Sequence, residues 1–196
     1  MNKQQLASKI WAGANALRGK VSADAYKDYM LGFIFYKYIS NKEEKYLKEK
    51  LYFSEEELRK LTEKDSNIVE NCKNNLGYFI ESNNLFSSWI SNQKYDKEKK
   101  VMKKVEFQIR DVRTALAAFD KNIGQNYKKV FSKIFETLSK GLDSLGAGDA
   151  ERTKAARSLL DLIVEIPTDG SQDYDVLGFI YEFLLKNFAA NAGKAG

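Results

Sequence analysis

The sequence predicts a mainly α, multi-helix globular domain, with room for a short two-stranded element near residues 77–81. Three observations lead there. Apolar residues recur at spacings of three and four through most of the chain, the period of a helix with one buried face. A single proline, Pro167, in 196 residues leaves long helices uninterrupted. The stretch Asp24–Ile39, DAYKDYMLGFIFYKYI, is apolar on nearly all sides, which suits a helix packed against several partners.

Residues 3–17 read as a first helix through Leu6, Ile10, Ala14 and Leu17, ending at Arg18-Gly19. The aromatic stretch follows as the central helix. Ser22 is its N-cap and Asp24 lies in the positively polarised first turn, with Val21 stapled onto Tyr26. Tyr26, Tyr29, Phe33 and Tyr36 are expected in the core or at a packed interface. The charged run after Ile39 either continues this helix or begins another.

Ser54 and Glu57 form a capping box for a helix ending near Glu63 or Lys64. A short apolar stripe from Ile68 to Leu76 stops at Gly77, and Tyr78-Phe79-Ile80 reads as extended, with no partner specified. Leu85–Ile90 returns to helical spacing. From Lys97 to Phe119 the residues Val101, Val105, Ile109, Val112, Leu116 and Phe119 predict one long amphipathic helix, unbroken by Gly or Pro.

A further helix uses Tyr127, Val130, Phe131, Ile134, Phe135 and Leu138. After a glycine-rich turn at 141–149, another buries Leu159, Leu160 and Ile163 and is closed by Pro167. Asp173 or Asp175 caps the last, which carries Val176, Phe179, Ile180, Phe183, Leu184 and Phe188. Residues 1–190 are expected to form one domain, and 191–196 a linker leaving it.

Composition narrows the chemistry. Histidine is absent, which removes imidazole bases, His-dependent triads and His metal sites. Cys72 is the only cysteine, so thiolate zinc clusters and an intrachain disulfide are excluded and a reducing, cytoplasmic setting is expected. No secretory signal or membrane-length apolar run is present. Glu43-Glu44 and Glu55–Glu57 read as solvated helix faces, and Lys27 and Lys37 as surface charges reaching out of the aromatic helix. Asp169, Asp173 and Asp175 lack the spacing of a calcium loop. Gly141, Gly146 and Gly148 lack that of a phosphate loop.

The net charge of +5 and pI near 9.0 permit a nucleic-acid partner without requiring one. Basic residues cluster over 94–113. Lys97, Lys100, Lys104, Arg110 and Arg113 are the candidates for contacts to a DNA backbone, joined by Lys121, Lys128, Lys129 and Lys133 if the two helices are neighbours. A routine charged face accounts for them equally well.

The stretch Ile10–Lys45 resembles the N-terminal region of the modification (M) subunits of type I restriction–modification systems. Leu76–Ile80 and Leu85–Ser87 are similar to the next block of that family. Tyr174–Leu184 resembles the helix preceding its catalytic domain, although Gly178-Phe179 replaces the more usual Gly-Asp. The resemblance implies a noncatalytic helical domain of an adenine-specific DNA methyltransferase subunit that helps to clamp DNA and assemble subunits. A purely structural partner-binding domain is the alternative. The implied partners are a specificity (S) subunit, a second M subunit, a restriction subunit in the full complex, and double-stranded DNA.

S-adenosylmethionine is the cofactor implied for the parent protein, an adenine-N6 methyltransferase, with none in this stretch. The family's Asn-Pro-Pro-Phe type of segment, which grips a flipped adenine, cannot lie in a chain whose only proline is Pro167. No catalytic, cofactor-binding or metal-binding residue is expected here.

Overall fold

The computed structural model describes residues 1–189 and confirms a mainly α domain. Helix α1 (Lys3–Ala16) starts from a capping box in which Asn2 and Gln5 exchange side-chain and backbone hydrogen bonds. Helix α2 (Ala23–Glu49) starts at Ser22, whose Oγ accepts from the Ala25 amide at 3.1 Å. It runs for 27 residues, so the charged stretch after Ile39 continues the same helix.

Helix α2 is the centre of the molecule. Tyr26, Tyr29, Met30, Phe33, Ile34, Tyr36, Ile39 and Leu47 are buried along it. Burying a tyrosine requires a partner for its hydroxyl. Tyr26 donates to the Ile10 carbonyl at 2.6 Å, Tyr29 to Gly141 at 2.5 Å and Tyr36 to Asn84 at 2.7 Å. Each bond ties the central helix to a different part of the chain.

Helix α3 (Glu55–Arg59) shows the expected capping box but stops short of the predicted Glu63 or Lys64. The competing structure is a turn in which the Thr62 amide donates to the Asp65 side chain and the Asp65 amide to the Thr62 carbonyl. Helix α4 (Ser66–Asn75) ends at Gly77, whose φ of +94° lies in the region glycine favours. Tyr78-Phe79-Ile80 is extended, and Tyr78 forms one antiparallel bridge with Ile123. The two-stranded element itself lies further on.

After helix α5 (Phe86–Ser91) the chain forms an antiparallel hairpin, β1 (Gln93–Asp96) and β2 (Val101–Lys104). The long helix predicted from Lys97 is therefore incorrect over its first half. Helix α6 spans Ile109–Lys121 and keeps Ile109, Val112, Leu116 and Phe119 of the predicted stripe in the core. Val101 had the right spacing but has nothing to pack against. Asp96 decides the local conformation, because its side chain accepts from the Glu98 and Lys99 amides at 3.0 Å each and its carbonyl from Lys100 at 2.8 Å.

The helix predicted from Tyr127 divides at Phe135 into α7 (Lys128–Ile134) and α8 (Glu136–Gly141). Phe135 fills the space between Tyr36 and Phe119, with ring centres 5.6 and 5.2 Å away. Val130 is left exposed. Helix α9 (Asp149–Ile163) buries Leu159, Leu160 and Ile163 as expected. Asp175 caps α10 (Val176–Phe188) by accepting from the Gly178 amide at 3.0 Å. Phe179 and Phe183 on that helix are only partly buried. The expected linker 191–196 lies outside the described residues.

Candidate nucleic-acid interface

The hairpin carries the densest group of lysines and is fastened to the body along one edge. Asn83 acts as a strand substitute: its side chain accepts from the Tyr95 amide at 2.8 Å and donates to the Tyr95 carbonyl at 2.9 Å. Lys94 reaches Asp111 at the start of α6, at 2.5 Å. Asn92 fixes the base, its carbonyl accepting from Val105 and its side chain from Phe107, at 2.9 Å each. Arg157 donates from α9 to the Trp89 and Ile90 carbonyls at the end of α5. Strand β2 stands on the far side, with all four residues exposed.

The five candidate cations fall into two groups. Lys97 pairs with Glu81 at 3.0 Å, and Arg113 pairs with Asp143 at 2.6 Å and Asp149 at 3.3 Å. Lys100 in the turn, Lys104 on β2 and Arg110 on the first turn of α6 are exposed and form no ion pair among the described residues. Lys99 belongs with this second group. The expected surface on two adjacent helices is replaced by a hairpin and the start of α6, while Lys128, Lys129 and Lys133 sit on α7.

Sequence reasoning missed the anchors Asn83, Asn92, Asp111 and Arg157. It also missed the exposure of Val101 and Met102, which are 50% and 41% exposed. The motif Asp96-x-x-x-Lys100 was the available signal, since an Asp opening a polar stretch is a turn former.

Two ionisable residues were misplaced by the sequence. Lys37 is buried, and its Nζ donates to the Ile163 carbonyl at 3.2 Å, to Val164 at 3.1 Å and to Ile166. It caps the C-terminal end of α9 instead of reaching solvent. Burial pulls its ammonium down to about 8, with Asp169 acting in the opposite direction. Lys27 does remain half-buried at the surface, paired with Asp24 at 3.0 Å.

Glu43 is fully buried rather than solvated, and Oε1 accepts from the Ile80 amide at 2.7 Å while Oε2 has no partner. Desolvation pushes its carboxyl well above the usual range, only partly offset by the Ile80 amide. Glu44 is half-buried, pairs with Arg59 at 3.2 Å and accepts from Ser87. Burial lifts the Cys72 thiol to about 12, so it is a packing residue rather than a nucleophile.

Lys37, Glu43 and Cys72 are buried in the helical core. Among the described residues no set of three His, Cys, Asp or Glu side chains is placed to hold a metal ion. No described helix is long and apolar enough to cross a membrane. The described residues form a helical body with a lysine-rich hairpin on its surface.

Comparison with known proteins gives this architecture a family. The HsdM N-terminal domain matches residues 6–157, well over half of the chain. The chain belongs to that family, the N-terminal domain of type I restriction–modification methyltransferase subunits. It is 27% identical over 195 residues to the type I restriction enzyme MpnII methylase subunit of Mycoplasma pneumoniae, covering 96% of this chain and 35% of that protein. The crystal structure of a type I restriction-modification system methyltransferase subunit from Streptococcus thermophilus matches with a TM-score of 0.68 and 21% identity. That match covers 96% of this chain and 39% of the other, and at such identity it speaks for the fold. The chain thus spans well under half the length of both relatives.

Proposed function

We propose that this domain is a noncatalytic part of an adenine-specific DNA methyltransferase subunit, contributing contacts to duplex DNA and surfaces for assembly. The observation that carries the reading is the set Lys100, Lys104 and Arg110, three exposed cations that no carboxylate of the described chain neutralises. Phosphates are their natural counter-ions. Lys97 and Arg113 are assigned to the same surface in this reading, with Lys97 paired to Glu81 and Arg113 to Asp143 and Asp149.

S-adenosylmethionine and the adenine chemistry are assigned to the part of the subunit outside this chain. Sequence readout is assigned to an S subunit, with a second M subunit and a restriction subunit completing the complex. Tyr181 and Leu185, exposed on α10, support an assembly role, because each leaves a large apolar side chain in water. The neutralised Lys97 and Arg113 favour a second reading in which the domain binds only protein partners.

Titration of the purified chain with a random-sequence duplex at several salt concentrations separates the two. Phosphate contacts predict binding that weakens with salt, and the triple variant Lys100→Gln, Lys104→Gln, Arg110→Gln should lower the logarithmic salt slope by about 2.7. Binding to the S subunit with no salt-dependent DNA binding would favour the second reading.

A further inference from the structure

We propose that the β1–β2 hairpin is a ribbon that enters the major groove of duplex DNA, with Val101 and Met102 against base edges and the turn lysines on the flanking phosphates. This rests on the DNA-binding reading above and adds the element, the groove and the apolar contacts. The hairpin is the sheet of the described structure, it has two strands, and both faces of β2 are open to solvent. Such a ribbon fits a groove about 12 Å wide. Four residues extend about 13 Å, more than the groove depth of about 8.5 Å.

The side chains suit that position. Residues 93–106 hold six lysines against three carboxylates, and one of those carboxylates is already turned to structural work. Asp96 closes the turn and pairs with Lys103 at 3.2 Å. Glu98 and Glu106 remain, opposed by Lys99, Lys100 and Lys104. Between these cations lie Val101 and Met102, each at least two-fifths exposed. Lysines on an edge strand discourage unwanted strand pairing, but that role does not call for exposed apolar residues between them. Apolar side chains flanked by cations do fit the thymine methyl groups and phosphates of a major groove.

The backbone favours entry by β2. The inner edge of the ribbon, on β1, is closed by Asn83. Pairing of Asn92 with Val105 sets the alternation of the ladder, so the Met102 and Lys104 backbone groups face away from β1. Their N–H groups are donors available to phosphate or base acceptors. The base is held by Asn92, Lys94–Asp111 and Arg157, so insertion involves little ordering of the ribbon.

The test uses the 196-residue chain and a random-sequence duplex preloaded with methyl green, which occupies the major groove, or netropsin, which occupies the minor groove. The expected result is displacement of methyl green and retention of netropsin. The double variant Val101→Ser, Met102→Ser keeps every charge, and should lose displacement and bind about tenfold more weakly. Unchanged far-UV circular dichroism would show that it folds. Salt-dependent binding that spares methyl green, or that the serine variant leaves intact, would overturn groove entry while the phosphate-contact reading stands. Absence of salt-dependent duplex binding would overturn both, and capture of an acidic strand peptide by the β2 edge would then assign the ribbon to a protein partner.

Discussion

Lys37 and Glu43 lie on the same helix, and both carry charge-bearing groups into the core. Lys37 supplies donors to three carbonyls at the end of α9, acceptors that lie beyond the reach of the helix ladder. Replacing it with methionine keeps the volume and orphans those carbonyls. Lys37→Met is expected to destabilise by about 2–3 kcal/mol in denaturant titration. Glu43 makes an opposite kind of prediction. In the unfolded chain its carboxyl loses its proton near 4.5, whereas burial keeps the folded group protonated to a much higher pH. Above 4.5 the unfolded state therefore binds fewer protons, and the contribution of Glu43 to stability falls as pH rises towards the folded value. Glu43→Gln should remove that part of the slope when thermal midpoints are compared from about pH 5 to pH 8.

Among the elements, the hairpin shows how a polar side chain overrules a periodic pattern. Val101 and Val105 continue the spacing of Ile109 and Val112, yet a helix there would forgo the Asp96 turn, in which the side chain accepts from the Glu98 and Lys99 amides. Asn83 then decides how firmly the hairpin is held, since it bonds both backbone groups of Tyr95. Asn83→Ala should accelerate hydrogen exchange at the Tyr95 amide and cost about 1–2 kcal/mol. Helix α6 should keep its protection, because Ile109, Val112, Leu116 and Phe119 are packed independently of that clamp. At the division between α7 and α8, Phe135 reaches Tyr36 and Phe119.

Over the whole molecule, α2 packs against α3, α5, α8, α9 and α10. That pattern predicts one cooperative unit. Trp89 stacks on Tyr36 at 4.8 Å, while Trp11 touches Phe188 at 4.7 Å and Phe183 at 6.3 Å. The two tryptophans thus report from separate regions joined by α2. Denaturation followed by tryptophan fluorescence and by helical circular dichroism should give superimposable curves, and two resolved midpoints would show that α1 and α10 unfold apart from the rest. The hairpin lies outside this core, which is why charge changes on Lys100 or Lys104 are expected to alter DNA affinity with stability changes within about 0.5 kcal/mol.

Helical class, the Ser54–Glu57 capping box and the central place of Asp24–Ile39 were legible in the sequence, because helix period and capping are properties of residues three or four positions apart. The family resemblance was legible for the same reason, in the contiguous stretch Ile10–Lys45. Tertiary structure alone decided that Lys37 would meet Ile163, that Glu43 would meet Ile80, and that Lys97 and Arg113 would be neutralised by Glu81 and Asp143. It also decided that Lys100, Lys104 and Arg110 would form no ion pair among the described residues. Burial and charge pairing depend on partners brought together from distant parts of the chain, and local spacing carries no record of them.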